Sequence, residues 1–324
     1  MPTEFELIGS IRRRVETRRD VLLGIGDDAA LLQVPAGMAL AVATDTLNAG
    51  VHFPAGTLPA EIGWKALAVN LSDLAAMGAQ PAWCTLSLSL PHADSGWIDA
   101  FLDGFLALAT RHDVALVGGD TTHGPLSVCV TAHGFVDPAK ALRRSGARVD
   151  DDIWVTGTLG DAAAALMQWR VSATPPVSEA ATVLRARLDR PTPRIATGLA
   201  LAGVASACID VSDGLFADLG HICAASGVGA VVDVDALPSS EALCASFDDE
   251  ARRCLQASGG DDYELCFTAT SASSARIAEI AAATGVRVSR IGRVVAGDHR
   301  VYGRVAEDAA WLPPRTGYEH FAAS

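Results

Sequence analysis

Six short clusters in this chain place an aspartate beside glycine or another small residue at the end of an apolar run. They are GIGDD at 24–28, TDT at 44–46, NLSD at 70–73, GGDTT at 118–122, DVSDGL at 210–215 and GGDD at 259–262. A carboxylate on a tight turn is well placed to bind Mg²⁺ through oxygen. Neighbouring glycines let backbone N–H groups approach a phosphate closely. The recurrence therefore predicts one polyphosphate–magnesium site assembled from several loops.

Phosphoryl transfer is the reaction that such a site would serve, because it depends on positioning and charge neutralisation more than on covalent chemistry. Two anions a few ångströms apart repel by about 4 kcal/mol per unit-charge pair at an effective dielectric constant of about 20. Metal ions between the anions offset this repulsion. A phosphate acceptor is already ionised and needs no general base. Since no base motif is evident, the sequence favours a phosphate acceptor over an alcohol.

Three familiar site motifs are missing or incomplete. The chain has no G-x-x-x-x-G-K-[ST] loop, which excludes a Walker-type nucleotide site. The GIG at 24–26 lacks both the third glycine and the strand–helix context of a dinucleotide fold. No G-x-S-x-G elbow marks a Ser/His/Asp hydrolase, although composition alone does not exclude one.

Several polar residues also have a purely structural interpretation. Ser212 and Asp213 precede an apolar helical pattern and would serve equally well as an ordinary N-cap. Asp73 would pair with a lysine on the same helix face. His52 could orient a substrate or be structural, and Arg144 could reach a nucleotide phosphate or lie on a polar linker.

Length, composition and charge limit the class of protein. A chain of 324 residues predicts about two domains, and a formal charge of −13 argues against nucleic-acid binding, which needs a basic face. Seven scattered cysteines without a C-x-x-C pair argue against disulfides or zinc and fit a reducing cytoplasm. No signal peptide is evident, and no apolar run reaches the roughly 20 residues of a membrane span. We therefore expect a cytoplasmic enzyme that binds neither nucleic acid nor membrane.

The apolar spacing predicts the elements that position these clusters. Helices are expected at 59–77, at 95–112 with Ser95 as the cap, and at 215–225. Strands are expected at 39–43, 114–117 and 207–210, each leading into a cluster. A polar stretch at 138–152 predicts a linker between domains at 1–137 and 153–324. The mixture of strands and long helices predicts an α+β protein.

In combination, the clusters resemble the thiamine-monophosphate kinase family. The resemblance rests on GIGDDAA at 24–30, TDT at 44–46, WKALAVNLSDLAAMG at 64–78, GGDTT at 118–122, DVSDGL at 210–215 and GGDDYEL at 259–265. It extends over nearly the whole chain. It implies the two-domain α+β fold of aminoimidazole ribonucleotide synthetase, with an N-terminal α/β domain that binds ATP and Mg²⁺ and dimerises through its sheet, and a C-terminal α+β domain.

The resemblance further implies ATP-dependent phosphorylation of thiamine monophosphate to thiamine diphosphate with Mg²⁺, in a homodimer. By position, the residues expected to bind metal are Asp28, Ala43, Thr44, Asp45, Asp73, Asp120, Asp210 and Asp213. Those expected to bind ATP are Gly119, Asp120, Arg144 and Ser212. Those expected to bind thiamine monophosphate are His52, Asp261 and Tyr318.

Two positions depart from the family pattern. Ala43 stands where serine is common, so a metal contact there must use the backbone carbonyl. Asp261 stands where glutamate is common and reaches less far by one methylene.

Other proteins of the same superfamily fold are alternative assignments. Selenophosphate synthetase and a hydrogenase maturation protein share it, but selenophosphate synthetase would carry a catalytic cysteine or selenocysteine in a glycine-rich N-terminal segment. The first cysteine here is Cys84, inside a predicted strand. A non-catalytic nucleotide sensor would be expected to lose the metal carboxylates, and all of them are present.

Overall fold

The computed structural model describes residues 4–16, 18–171, 178–306 and 309–318. The chain divides into two compact units, the first made of Met1–Leu74 and Ala79–Ala139 and the second of Ala75–Gly78 and Lys140–Ser324. Both units combine helices with β-sheet, which confirms the predicted α+β class. The predicted domain limits, with a linker at 138–152, stay a prediction. Within the described part of the chain, no helix is both long enough and apolar enough to cross a membrane.

A four-stranded sheet forms the centre of the first unit. The elements are α1 (Glu4–Arg14), β1 (Val21–Leu23), β2 (Leu31–Leu32), β3 (Ala39–Asn48), α2 (Pro59–Ala76), β4 (Gln80–Leu90), α3 (Ser95–Arg111), β5 (Ala115–His123) and β6 (Ser127–Val136). The sheet has the order β3-β6-β4-β5. Strands β4 and β5 are parallel and the other pairs are antiparallel. Strand β3 lies at one edge, and its residues alternate between half-buried and exposed along most of its length.

Helices α2 and α3 approach each other closely at two glycines. A Cβ on Gly63 would lie 2.1 Å from the carbonyl oxygen of Phe101, and a Cβ on Gly104 would lie 1.8 Å from that of Ala60. Helix backbones can meet this closely only where a side chain is absent. The contact fixes α2, the helix that carries NLSD at 70–73. Helix α3 starts from Asp94, whose carboxylate accepts the N–H of Trp97, so the predicted cap at Ser95 is wrong by one residue.

The second unit contains a seven-stranded sheet. Its elements are β7 (Asp152–Thr156), α4 (Asp161–Val171), α5 (Glu179–Asp189), α6 (Ile195–Leu201), β8 (Ala207–Val211), α7 (Leu215–Ser226), β9 (Gly229–Asp233), α8 (Glu241–Ser246), α9 (Asp249–Ser258), β10 (Glu264–Ala269), α10 (Ser274–Thr284), β11 (Val288–Val295), β12 (Val301–Val305) and β13 (Ala309–Trp311). The strand order is β13-β12-β9-β11-β7-β10-β8. Strand β8 is therefore at the edge of this sheet, and its neighbour in the sheet is the antiparallel strand β10. This edge carries DVSDGL at the end of β8.

Two of the clusters lie within strands and not on turns, contrary to the prediction. TDT at 44–46 is in the middle of β3, and GGDTT at 118–122 is in the second half of β5. The strands were predicted to end with their apolar runs, at 43 and at 117. Both strands continue because their later residues still pair with the neighbouring strand, Thr46 with Cys129 and Asp120 with Ser87. Pairing of the backbone does not require apolar side chains, so hydropathy alone places the strand end too early.

Candidate active site

Strand β3 places the side chains of Thr44 and Asp45 on opposite faces of the sheet, because successive residues of a strand alternate. The Thr44 hydroxyl lies 3.0 Å from Thr131 Oγ1 and donates to the carbonyl oxygen of Val130 at 3.1 Å. Thr44 could therefore share an ion with the Asp45 carboxylate only through its backbone carbonyl, as Ala43 must.

Strand β5 presents Gly119 and Asp120 through an unusual backbone. Gly119 has φ of 151°, and a Cβ there would lie 1.8 Å from the carbonyl oxygen of Leu86. Asp120 is exposed, and its Oδ1 accepts the N–H of Thr121 at 2.9 Å. Glycine is therefore required at 119, and it leaves the following carboxylate at the surface.

The GIGDD turn near α1 is also at the surface. Asp28 is exposed, and its N–H donates to Asp27 Oδ1 at 2.9 Å. Gly26 has φ of 127°, and a Cβ there would lie 2.6 Å from a guanidinium nitrogen of Arg12. The last turn of α1 therefore packs directly on this glycine turn.

Helix α2 contributes Asp73, which is half-buried, and Asn70, which has no exposed surface. Asn70 Nδ2 donates to the carbonyl oxygen of Ala66 at 3.0 Å. Its Oδ1 has no hydrogen-bond partner among the described residues. A buried acceptor without a partner costs about 1–3 kcal/mol. The Asn70 oxygen lies one turn before Asp73, and a cation bound there would supply the missing partner.

The loop between β3 and α2 fixes His52. Its Nδ1 accepts the N–H of Asn48 at 3.0 Å, and its carbonyl oxygen accepts a hydrogen bond of 3.0 Å from Lys65 Nζ. Lys65 is buried in α2, with 2% of its surface exposed. Because Nδ1 is an acceptor, neutral His52 carries its proton on Nε2. The side chain can therefore donate a hydrogen bond through Nε2.

In the second unit, the DVSDGL turn is held by a residue that the sequence argument missed. Asp218, in the first turn of α7, accepts the N–H groups of Ser212, Asp213 and Gly214 with one oxygen, Oδ2, at 3.0, 3.1 and 3.1 Å. Burial raises the pKa of Asp218 to about 7, the Asp210 carboxylate adds to this, and the bonds from the backbone oppose it. An aspartate in the first turn of a helix is a known signal of such capping, and the pattern DVSDGLFAD contained it.

Two separate segments of the second unit bind this turn through the backbone. The Asp261 N–H donates to the Ser212 carbonyl oxygen at 2.8 Å, and the Tyr318 N–H donates to that of Asp213 at 3.0 Å. The Tyr263 N–H donates to the carbonyl oxygen of Val211 at 2.8 Å. The structure thus brings together four of the predicted residues, which are Ser212, Asp213, Asp261 and Tyr318.

The GGDD turn has a constrained backbone. Asp261 and Tyr263 have φ of 69° and 51°, a region that non-glycine residues rarely occupy. Between them, the buried carboxylate of Asp262 accepts the N–H of Gly160 at 2.8 and 3.0 Å. Burial, opposed by the Gly160 bond and by Arg187, raises the pKa of Asp262 well above its ordinary value. The Tyr263 hydroxyl donates to Asp261 Oδ1 at 3.1 Å, so the turn orients the Asp261 carboxylate.

Arg144 is not brought to the DVSDGL turn by the fold of the second unit. Its carbonyl oxygen accepts a hydrogen bond from Ser226 Oγ at the last residue of α7, whereas Ser212 precedes the first. A 12-residue helix is about 18 Å long. The Arg144 side chain is exposed, so its predicted contact with ATP stays a prediction.

The donor set fits Mg²⁺, which prefers carboxylate and carbonyl oxygens. Across the described ranges, no three His, Cys, Asp or Glu side chains converge on a single point as a preformed metal site would require. Mg²⁺ in kinases is usually held by one or two carboxylates plus substrate phosphates and water, without a cage made of protein alone. The unpaired oxygen of Asn70 agrees with that mode of binding.

Comparison with known proteins places the chain in a family. Residues 26–136 match the family model described as AIR synthase related protein, N-terminal domain, and residues 148–304 match the corresponding C-terminal domain. The thiamine-monophosphate kinase of Salmonella typhimurium is 48% identical over 322 residues, which are 98% of each chain.

Solved structures give the same result. The crystal structure of thiamine-monophosphate kinase from Stenotrophomonas maltophilia has a TM-score of 0.88 and 55% identity, and the match covers 95% of this chain and 98% of that one. A structure of AaThiL complexed with AMPPCP and TMP has a TM-score of 0.76 and 30% identity, covering 96% and 98%. The chain belongs to the AIR synthase related family and, within it, to the thiamine-monophosphate kinases.

Proposed function

We propose that this chain is an ATP-dependent kinase that phosphorylates thiamine monophosphate to thiamine diphosphate. The observation that carries the proposal is near-full-length identity of 48% to a thiamine-monophosphate kinase. A relative of the same fold was solved with both an ATP analogue and TMP. The backbone bonds that join Ser212, Asp213, Asp261 and Tyr318 support the proposal, because they collect predicted ATP-, metal- and substrate-binding residues around one turn.

In the proposed reaction, an oxygen of the acceptor phosphate attacks the γ-phosphorus of ATP in line. The bond from that phosphorus to the β–γ bridging oxygen breaks, and ADP leaves with the electron pair. The acceptor phosphate is already ionised, so no residue has to remove a proton. The carboxylates of Asp28, Asp45, Asp73, Asp120, Asp210 and Asp213 would hold Mg²⁺. Bound Mg²⁺ supplies neutralisation of the phosphate charges.

The protein residues position the two substrates. His52 would donate its Nε2 proton as a hydrogen bond to the acceptor phosphate, since Nδ1 is already an acceptor. Asp261 would contact the thiamine part with a carboxylate that Tyr263 orients. Gly119 and Ser212 would contact ATP. Such positioning, together with electrostatic stabilisation, accounts for most of the catalysis in phosphoryl transfer.

A direct assay tests this function. Purified protein is incubated with ATP, Mg²⁺ and thiamine monophosphate, and the thiamine phosphates are separated by chromatography. We expect thiamine diphosphate that disappears when EDTA is added. Bound ATP without any product would instead favour another enzyme of this superfamily or a nucleotide sensor.

We also propose that the enzyme is a cytoplasmic homodimer. Strand β3 exposes Leu40 and Val42, with 42% and 57% of their surfaces accessible, on an edge strand of the first unit. A second copy packed on this sheet would cover them. Val42→Asp should shift the protein to the monomer in sedimentation experiments, whereas an unchanged mass would contradict dimerisation through this sheet.

The cytoplasmic location is supported by the cysteines. All seven are free, as is usual in a reducing compartment.

A further inference from the structure

Asp218 binds three consecutive backbone N–H groups with a single oxygen. These belong to residues 212–214, which we call the 212–214 turn, and the three distances are between 3.0 and 3.1 Å. Only 3% of the Asp218 surface is exposed. The first N–H groups of a helix and its preceding turn need partners. In α7 the N-cap residue is Gly214, which has no side chain to offer, so Asp218 fills this role from within the helix.

The same turn is bound on its other side by the substrate segments. The carbonyl oxygen of Ser212 accepts the Asp261 N–H, and that of Asp213 accepts the Tyr318 N–H. Gly214 has φ of 134°, and a Cβ there would lie 2.9 Å from the carbonyl oxygen of Ser258. The turn therefore has one backbone conformation, fixed through its N–H groups by Asp218 and through its carbonyls by two predicted substrate-binding segments.

We propose that Asp218 is a positioning residue for the kinase reaction, which holds the 212–214 turn in the conformation that binds Mg²⁺ and ATP. Asp218 takes the N–H groups, so the Ser212 and Asp213 side chains are not needed as helix caps. The inference rests on the proposed function, because that function gives Ser212 and Asp213 their ligands. The proposal gives Asp218 no direct contact with either substrate.

The test compares three variants of the full-length protein. Asp218→Ala removes the acceptor, Asp218→Asn keeps one acceptor oxygen without the charge, and Asp248→Ala is the matched control. Asp248 caps α9 in the same unit by accepting the N–H of Ala251 at 2.9 Å. The probe is Mg²⁺ with AMPPCP, a non-hydrolysable ATP analogue, and binding is measured by calorimetry alongside the thermal midpoint of unfolding.

We expect Asp218→Ala to weaken analogue binding by about 100-fold, because the three hydrogen bonds that hold the turn in its binding conformation are lost. Asp218→Asn should restore affinity to within about fivefold of the parent, because its amide oxygen is still an acceptor for these N–H groups. Asp248→Ala should lower the thermal midpoint and leave affinity unchanged. An affinity of Asp218→Ala within about threefold of the parent, or an asparagine variant as impaired as alanine, would overturn the inference.

If Asp218→Ala does not fold, Asp218→Glu replaces it, because this variant keeps the charge but moves the oxygen by one methylene. Unchanged affinity in the glutamate variant would equally overturn the inference. Analogue binding does not need thiamine monophosphate, so a parent protein that binds the analogue yet makes no thiamine diphosphate would refute the proposed function and still test Asp218.

Discussion

Arg194 donates two hydrogen bonds to Glu264, one of them 2.6 Å long from Nε to Oε2, although Glu264 has no exposed surface. Arg187 binds the same carboxylate at 2.7 Å, and the Thr156 hydroxyl donates to it at 2.7 Å. Glu264 is the first residue of β10 and is separated from the GGDD turn by Tyr263 alone. The Arg194–Glu264 pair therefore fixes the start of β10, next to the turn that carries Asp261.

Removing one partner of this pair should destabilise the second unit strongly. Arg194→Ala leaves a buried carboxylate with one guanidinium, and breaking a buried pair typically costs about 3–5 kcal/mol. We expect a loss of this order in the free energy of unfolding measured with urea. The matched control is Arg276→Ala, which removes an exposed pair with Glu279 at 2.8 Å and should cost less than about 1 kcal/mol. Equal losses in the two variants would refute the anchoring role.

The same pair predicts how stability depends on pH. Burial opposes ionisation of Glu264, but the hydrogen bond and charge of Arg194, with the charge of Arg187, outweigh it and hold the pKa below its ordinary value. The unfolded chain therefore binds this proton more readily than the folded chain does. The stabilisation is present above the ordinary glutamate pKa and is lost as pH falls through the lower, folded value. Glu264→Gln should flatten the acid limb of the stability curve; an unchanged slope there would count against this assignment.

Two adjacent glycines of β5 offer a paired test of backbone geometry. Gly119→Ala would place a Cβ 1.8 Å from the carbonyl oxygen of Leu86, whereas a Cβ on Gly118 meets only Thr85 Cγ2 at 3.8 Å. Gly119 also has φ of 151°, and alanine is strained there. We expect Gly119→Ala to lower the thermal midpoint and to weaken ATP binding. Gly118→Ala is the control and should do neither. Similar behaviour of the two variants would contradict the strained backbone at 119.

The hydrogen bond between Tyr263 and Asp261 should influence substrate affinity. Tyr263→Phe removes only the hydroxyl that lies 3.1 Å from Asp261 Oδ1. A net hydrogen bond is worth about 0.5–1.5 kcal/mol, so we expect KM for thiamine monophosphate to rise by about two- to tenfold with little change in KM for ATP. In Asp261→Asn the same tyrosine substitution should have a smaller effect. Additive effects in this double-mutant cycle would show that Tyr263 does not act through Asp261.

Helices with strong apolar spacing were predictable, and so was the class of fold. Helix α2 was expected at 59–77 and spans Pro59–Ala76, and α7 was expected at 215–225 and spans Leu215–Ser226. The later helices α8 and α9 were not predicted, since they are short and α9 is rich in charge. The spacing of apolar residues reveals a helix only when one face of it is buried. These two helices bury few residues, so their apolar spacing is weak.

The residues expected to bind ligands could be predicted from the sequence. The residues that hold their turns in place could not. The clusters around Asp213 and Asp261 were recognisable because glycine and aspartate repeat there. Asp218 was missed although an aspartate in the first turn of a helix is a recognisable capping signal. Asp262 and Glu264 were missed because each acts through contacts with distant segments, such as Gly160 and Arg194. Sequence spacing gives no information on such contacts.

Metal dependence gives a further prediction for the carboxylates. Asp213→Asn and Asp45→Asn should each lower kcat/KM by about 100-fold or more, equivalent to about 3 kcal/mol of transition-state stabilisation. EDTA should abolish the activity of the parent. The control is Asp249→Asn, an exposed residue of α9 that pairs with Arg252, which should retain parental activity. Values within about twofold of the parent for Asp213→Asn and Asp45→Asn would show that the metal assignment is wrong.

The most direct test of the kinase assignment follows the γ-phosphoryl group itself. ATP labelled with ³²P at the γ position is incubated with the purified enzyme, Mg²⁺ and thiamine monophosphate, and the products are separated. We predict that the label appears in the terminal phosphate of thiamine diphosphate in equal amount to the ADP formed. Consumption of ATP with the label released only as inorganic phosphate, and no labelled thiamine diphosphate, would contradict the assignment.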